Sequence, residues 1–261
     1  MLSTTAPLAL LIGLLASGCS SGRVSVGDDR AIDAGLAAGG DSSNDAGAAG
    51  MDAGVAGMDA AAGSPPTAAG LLGLLDPCTA ISNGKLAPAA GRTKDITVCG
   101  FGSAVYWKSE LAVDCDGKLT DTCSKKTDPQ YQGTTVGKDS AGNSLDAAAV
   151  PYVEVPKASA TFDYRAAGLS MGTVVAVIYN DQLSYGVVGQ EQDPDTIGNA
   201  SYAMATQLGI NSDPVKGGLQ SEDVTYIAFK GALNVVPALE DVKAAAALAE
   251  KAASELIAAG R

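Results

Sequence analysis

Histidine is absent from this sequence. That absence excludes serine and cysteine nucleophiles activated by imidazole, histidine-ligated zinc, and haem or Rieske-type iron. Basic residues are few: Lys and Arg number 17 against 29 Asp and Glu, for a net charge of −12. With no Lys/Arg run and no aromatics interleaved among such residues, the chain offers nothing to the phosphates of a nucleic acid. Cysteine is limited to five, none in a CxxC pair. That spacing speaks against thiolate zinc, and nothing in the sequence requires a metal or any other cofactor. What remains is carboxylate chemistry, in a molecule whose charge suits a cationic ligand.

A basic residue is also missing from the opening run, "MLSTTAPLALLIGLLASGC". The run has the length of a signal peptide and is too short for a stable membrane span, so it reads as an export signal over 1–19. Ala-Ser-Gly-Cys at 16–19 fits a bacterial lipoprotein cleavage site, with Cys19 as the lipidated N-terminus; the alternative is an ordinary secretory signal with an incidental cysteine. Residues 20–70 lack the large side chains a core needs, and "AGMDAGV" at 49–55 is followed at once by "AGMDAAA" at 56–62. This segment reads as a disordered tether, reaching roughly 40 Å as a flexible coil. Its seven acids and two Arg carry −5, leaving 22 acids and 15 bases, or −7, for residues 71–261. The expected product is exported, meets a membrane only through a lipid anchor, or is secreted, and is a monomer.

Beyond residue 70, Cys78, Cys99, Cys115 and Cys123 form an even set that predicts two disulfides in an oxidising compartment, with three pairings open. "SAVYWKSELAVDCDG" alternates apolar residues up to the break at Gly117, and 118–145 reads as loop. "PYVEVP" is a short strand bounded by Pro151 and Pro156. "TVVAVIYNDQLSYGVVG" is a hairpin turning at Asn180-Asp181, residues that tolerate positive φ. "NASYAMATQLG" places Ala200, Met204 and Leu208 on one helical face, with Gly209 at the C-terminal end and Asn199 as N-cap. "VTYIAFKG" at 224–231 is the last strand, and an Ala-rich helix from Pro237 to Gly260 lies on the surface of the sheet or barrel. The fold expected over 71–234 is a β-rich α+β core, a partly closed barrel or sheet, with 235–261 as an added helix.

Two acidic constellations stand out. Glu110, Asp114 and Asp116 alternate along an extended segment, which places all three on one face and Cys115 on the other. Glu191, Asp193 and Asp195 occupy the loop between Gln190 and Asn199. A glycosidase needs one carboxylic acid to protonate the leaving oxygen and one carboxylate to activate water or attack carbon, and a strand-borne cluster facing an acidic loop can supply both. Asp116-Gly117 and Asp193-Pro194-Asp195 are equally ordinary turn sequences.

The segments "VDCDG" (113–117), "LDAAAVPYVEVP" (145–156), "VAVIYNDQLSYGVVG" (175–189), "IGNASYAMATQLGI" (197–210) and "VTYIAFKG" (224–231), in this order, resemble the fungal-type chitosanases of glycoside hydrolase family 75. The resemblance covers most of 75–234. It implies an endo-acting, inverting hydrolase of chitosan, a cationic polymer of glucosamine that an anionic cleft attracts. It also implies catalytic carboxylates at the residue closing Tyr-Gly-x-x-Gly and at the residue after Ile-Gly, which here are Gln190 and Asn199. The Asp that the family usually carries two residues before Asp114 is Ala112 here. Amides neither give up nor accept a proton near neutral pH, so this chain either moves its acid, with Glu191 as the nearest substitute, or binds polymer without cleaving it. Glu110, Asp114, Asp116, Asp193 and Asp195 are the expected substrate-binding acids.

Overall fold

The computed structural model describes residues 64–260. Cys19, the export signal and most of the tether lie outside the described residues. The first element is α1 (Ala68–Leu72), which begins in the last three residues of the stretch expected to be tether. Thr67 caps it, its hydroxyl oxygen accepting the Gly70 N–H at 3.0 Å, and Ala68 and Leu71 are buried. Packing of these two side chains outweighs the Gly/Ala-rich composition from which a tether was expected.

The strands follow as β1 (Thr79–Ala80), β2 (Cys99–Phe101), β3 (Ala104–Asp114), β4 (Tyr152–Pro156), β5 (Val174–Tyr179), β6 (Gln182–Gln192) and β7 (Asn199–Ser201). Then come α2 (Tyr202–Gln207), β8 (Leu219–Phe229) and α3 (Val242–Ala259). The sheet runs β1-β2-β3-β7-β4-β6-β5-β8, and β8 also pairs with β3, so six strands close into a barrel. Two of its pairings, β3–β7 and β4–β6, are parallel. Closure leaves none of those six strands with an unpaired edge along its whole length, the aggregation risk that open sheets carry.

Alternation divides the strand residues between two cores. Val105, Trp107, Val153, Val155, Val175, Val177, Val188 and Tyr226 fill the barrel, where the Trp107 and Tyr226 rings stack with centroids 5.2 Å apart. Their neighbours Tyr106, Tyr152, Val174, Ala176, Val187 and Ile227 point outward into a second layer. That layer is covered by α3, which buries Ala245, Ala249, Ala252, Ala253 and Leu256. Small side chains let the helix lie close to the wall of β5 and β6, so the alanine stripe is a packing face. The helix starts at Val242, five residues after Pro237, because Asp241 caps it by accepting the Ala244 N–H at 3.0 Å. It also packs against α1 and is part of the same compact unit as the barrel.

Asn180 and Asp181 adopt φ of 47° and 62°, the pair of positive values a two-residue type I′ hairpin turn requires. The four cysteines pair as Cys78–Cys99 and Cys115–Cys123, which resolves the three-way choice. In α2 the N-cap is Ser201, whose hydroxyl oxygen accepts the Met204 N–H at 3.2 Å. Asn199 does not cap the helix; it pairs as a strand residue with Ala112 of β3, which frees its side chain.

Candidate active site

Outward-facing residues of four adjacent strands build a cleft on the side of the barrel. Asp114 comes from the end of β3, Asn199 from β7, Glu154 from β4 and Gln190 from β6. The cleft has a volume of ≈ 710 Å³ and is roofed on one side by the loop 128–136. Because β4 lies between β7 and β6, Glu154 stands between the two positions that the resemblance marks as catalytic. Its Cα is the register partner of Gln190, and its Oε2 accepts a hydrogen bond from Asn199 Nδ2 at 3.3 Å.

Glu154 is only 4% exposed and lies beside the carboxyl of Asp114. Burial, and then the neighbouring Asp114 charge, push the Glu154 carboxyl well above the usual carboxylate range. Asp114 is held from the other side by the Tyr152 hydroxyl, which donates to its Oδ2 at 2.7 Å. Asp116 completes the group. Burial and the Asp114 charge raise its carboxyl to about 7, against the opposing effect of the Gln132 N–H, which it accepts at 2.6 Å.

The other acids expected in the site behave differently. Glu191 borders the cleft, but its Oε1 accepts from Arg165 Nη2 at 2.6 Å and from the Tyr164 hydroxyl at 2.7 Å, so a guanidinium neutralises the residue nearest to position 190. Asp193 lines the rim, exposed. Asp195 does not line the cleft: it is bound to Lys94 at 2.9 Å and to the Ser159 hydroxyl at 2.6 Å, contacts that lower its carboxyl to about 2. Glu110 is also outside the cleft, paired with Arg92 at 3.4 Å further along β3, opposite the register irregularity at which β8 passes from Val224 to Leu219. Of the three acids expected on one face, the cleft is lined by Asp114 and by Asp116, just past the strand end.

Gln190 is occupied as a structural bolt. Its Oε1 accepts the N–H groups of Val136 and Glu191 at 2.8 and 3.0 Å, and its Nε2 donates to the Thr134 carbonyl at 3.3 Å, tying the roof loop to β6. Asn199 keeps one contact, to Glu154. The residue that sequence reasoning passed over is Glu154. The one signal for it was a charged side chain in the middle of Tyr-Val-Glu-Val-Pro, a strand otherwise apolar; a carboxyl there has to be buried or functional.

The family model described as fungal chitosanase of glycosyl hydrolase group 75 matches residues 111–261. The match includes α3, which the sequence reading had placed outside the resemblance, and it leaves 75–110 uncovered. An endo-chitosanase of Aspergillus oryzae is 31% identical over 157 residues, 53% of this chain and 64% of that protein. Endo-chitosanase B of the same organism is 32% identical over 131 residues, 47% of this chain and 54% of its own length. An endo-chitosanase of Aspergillus fumigatus is 29% identical over 154 residues, 54% and 64% of the two chains. The chain thus spans less than two thirds of the curated relatives it matches. With more than half of its length matched to one family model and the barrel cleft built from the matched segments, the chain belongs to the fungal chitosanases of glycosyl hydrolase group 75.

Proposed function

We propose that the cleft takes chitosan and hydrolyses its internal β-1,4-glucosamine linkages, with inversion at the anomeric carbon. The observation carrying this reading is the concentration of Asp114, Asp116, Glu154 and Asp193 along one open cleft of a family member. Ammonium groups along a glucosamine polymer are drawn to such a surface, and a folded part of net charge −7 adds a longer-range attraction. Export, attachment through lipidated Cys19 and action as a monomer outside the cell complete the proposal. They are supported by the opening apolar run and by two disulfides that persist in an oxidising compartment.

A second reading is a surface-tethered module that holds amino-sugar polymer without cutting it. It is favoured by Gln190, whose amide holds the roof loop through Val136 and Thr134 and presents no acid to substrate. Incubating the purified protein with soluble chitosan separates the two. New reducing ends together with retention on chitosan beads support the hydrolase, retention without new ends supports the binder, and neither one sinks the substrate assignment.

A further inference from the structure

Both positions to which the resemblance assigns acids are amides, yet the cleft contains a buried carboxyl between them. The strand order β7-β4-β6 sets Glu154 directly between Asn199 and Gln190, one strand spacing of about 4.8 Å from each. Its carboxyl accepts from Asn199 at 3.3 Å and lies beside that of Asp114. Glu191, the alternative nearest in sequence, is held by Arg165 and Tyr164. We propose that Glu154 is the proton donor of this cleft, an acid relocated to the strand that separates the two substituted positions.

A second feature of the same wall points to a bound sugar. Gln192 lines the cleft, is 8% exposed, and its side-chain amide nitrogen finds no acceptor among the described residues. A buried donor without a partner is costly, and a hydroxyl or ring oxygen of a saccharide supplies the missing acceptor.

Glu154 gives its proton to the glycosidic oxygen as the C1–O bond breaks, and that oxygen departs as the new 4-hydroxyl. Water forms the new bond to C1, and the proton it sheds passes to Asp193. Among the described residues no hydrogen bond or ion pair engages the Asp193 carboxylate, unlike those of Asp114, Asp116 and Glu191. Asp193 lies three residues beyond Gln190, the register partner of Glu154, or roughly 10 Å along the strand direction at 3.3 Å per residue. Inverting glycosidases separate their two carboxyls by roughly 6.5–9.5 Å to leave room for water, somewhat less than this backbone offset, so the two side chains have to lean towards each other across the bound sugar. Exchange with solvent then returns the proton from Asp193 and reloads Glu154.

This inference rests on the reading of the cleft as a chitosan site, and the experiment separates the two. Reducing-end release and binding of a glucosamine oligomer are measured on the full exported protein and on Glu154→Gln, Asp193→Asn and Asp114→Asn. Expected are losses of about 10²- to 10⁴-fold in turnover for the first two, with oligomer binding retained. Glu154→Gln recovers most of its rate on a dinitrophenyl glycoside of the oligomer, whose leaving group needs no proton; Asp193→Asn does not. Asp114→Asn moves the basic limb of the pH–rate profile to lower pH, since it removes the charge beside Glu154, and this readout stands even if Glu154→Gln folds poorly. Full turnover by Glu154→Gln, an unmoved limb in Asp114→Asn, or a wild type that binds but never cleaves overturns the role of Glu154 while leaving the cleft as a chitosan site. A wild type that does not bind the oligomer removes both.

Discussion

A carboxyl that keeps its proton in the folded protein, and would lose it in the unfolded chain, ties stability to pH. Glu154 is raised well above the ordinary glutamate value of 4.5 by burial and by Asp114, so its effect is absent below that value and grows as pH rises through the window between the unfolded and folded values. In that window the unfolded chain sheds a proton that the native state retains, and folding weakens. Glu154→Gln is therefore expected to melt with the wild type near pH 4 and above it near pH 8, which thermal denaturation at the two pH values measures. Asp116, raised to about 7, contributes in the same direction over the same range. Gly198, next to Asn199, has a different kind of constraint. Its φ is +137°, and an added Cβ would lie 2.3 Å from the Ser109 hydroxyl oxygen. Gly198→Ala should cost about 1–3 kcal/mol in denaturant titration, because both the backbone conformation and the space are denied to it.

The element that carries the site is β3, and a disulfide fixes its end. Cys115–Cys123 lies between Asp114 and Asp116 and closes a loop with a sequence separation of 8. Replacing both cysteines with alanine should cost about 2–3 kcal/mol by the loop-entropy relation, and should weaken oligomer binding more than removal of Cys78–Cys99, which lies away from the cleft. In α3, Leu256→Ala should lose about 2–5 kcal/mol, since this side chain is 1% exposed beneath the helix. The strands and the helix α3 were legible in the sequence because alternation and helix propensity are local properties. The pairing of Glu110 with Arg92 was not, since only the fold brings the two together, and it holds Glu110 outside the cleft. Glu154 escaped notice because a single acid in a five-residue strand gives no pattern; only the neighbouring strands, remote in sequence, give it meaning.

For the whole molecule, what sequence reading left open was closure. The barrel is sealed by β3 against β8, as in Val105 with Ala228 and Trp107 with Tyr226, and pairings that distant leave no periodic trace. Charge, by contrast, was legible from composition, and it predicts that chitosan capture weakens as salt rises from 0.05 to about 0.5 M, where the Debye length contracts to a few ångströms. Retention measured across that range tests it, and an affinity that ignores salt argues for apolar contacts instead. The contact between α1 and α3 has a consequence in time. Ile257 approaches Gly70, and Leu74 approaches Gly260, so the first described helix rests on the last. A chain delivered from its N-terminal side holds α1 unpaired, with Leu71 exposed, until α3 at Val242–Ala259 has emerged. Docking of α1 is thus late, and a chain stopped before residue 242 would leave it without its partner.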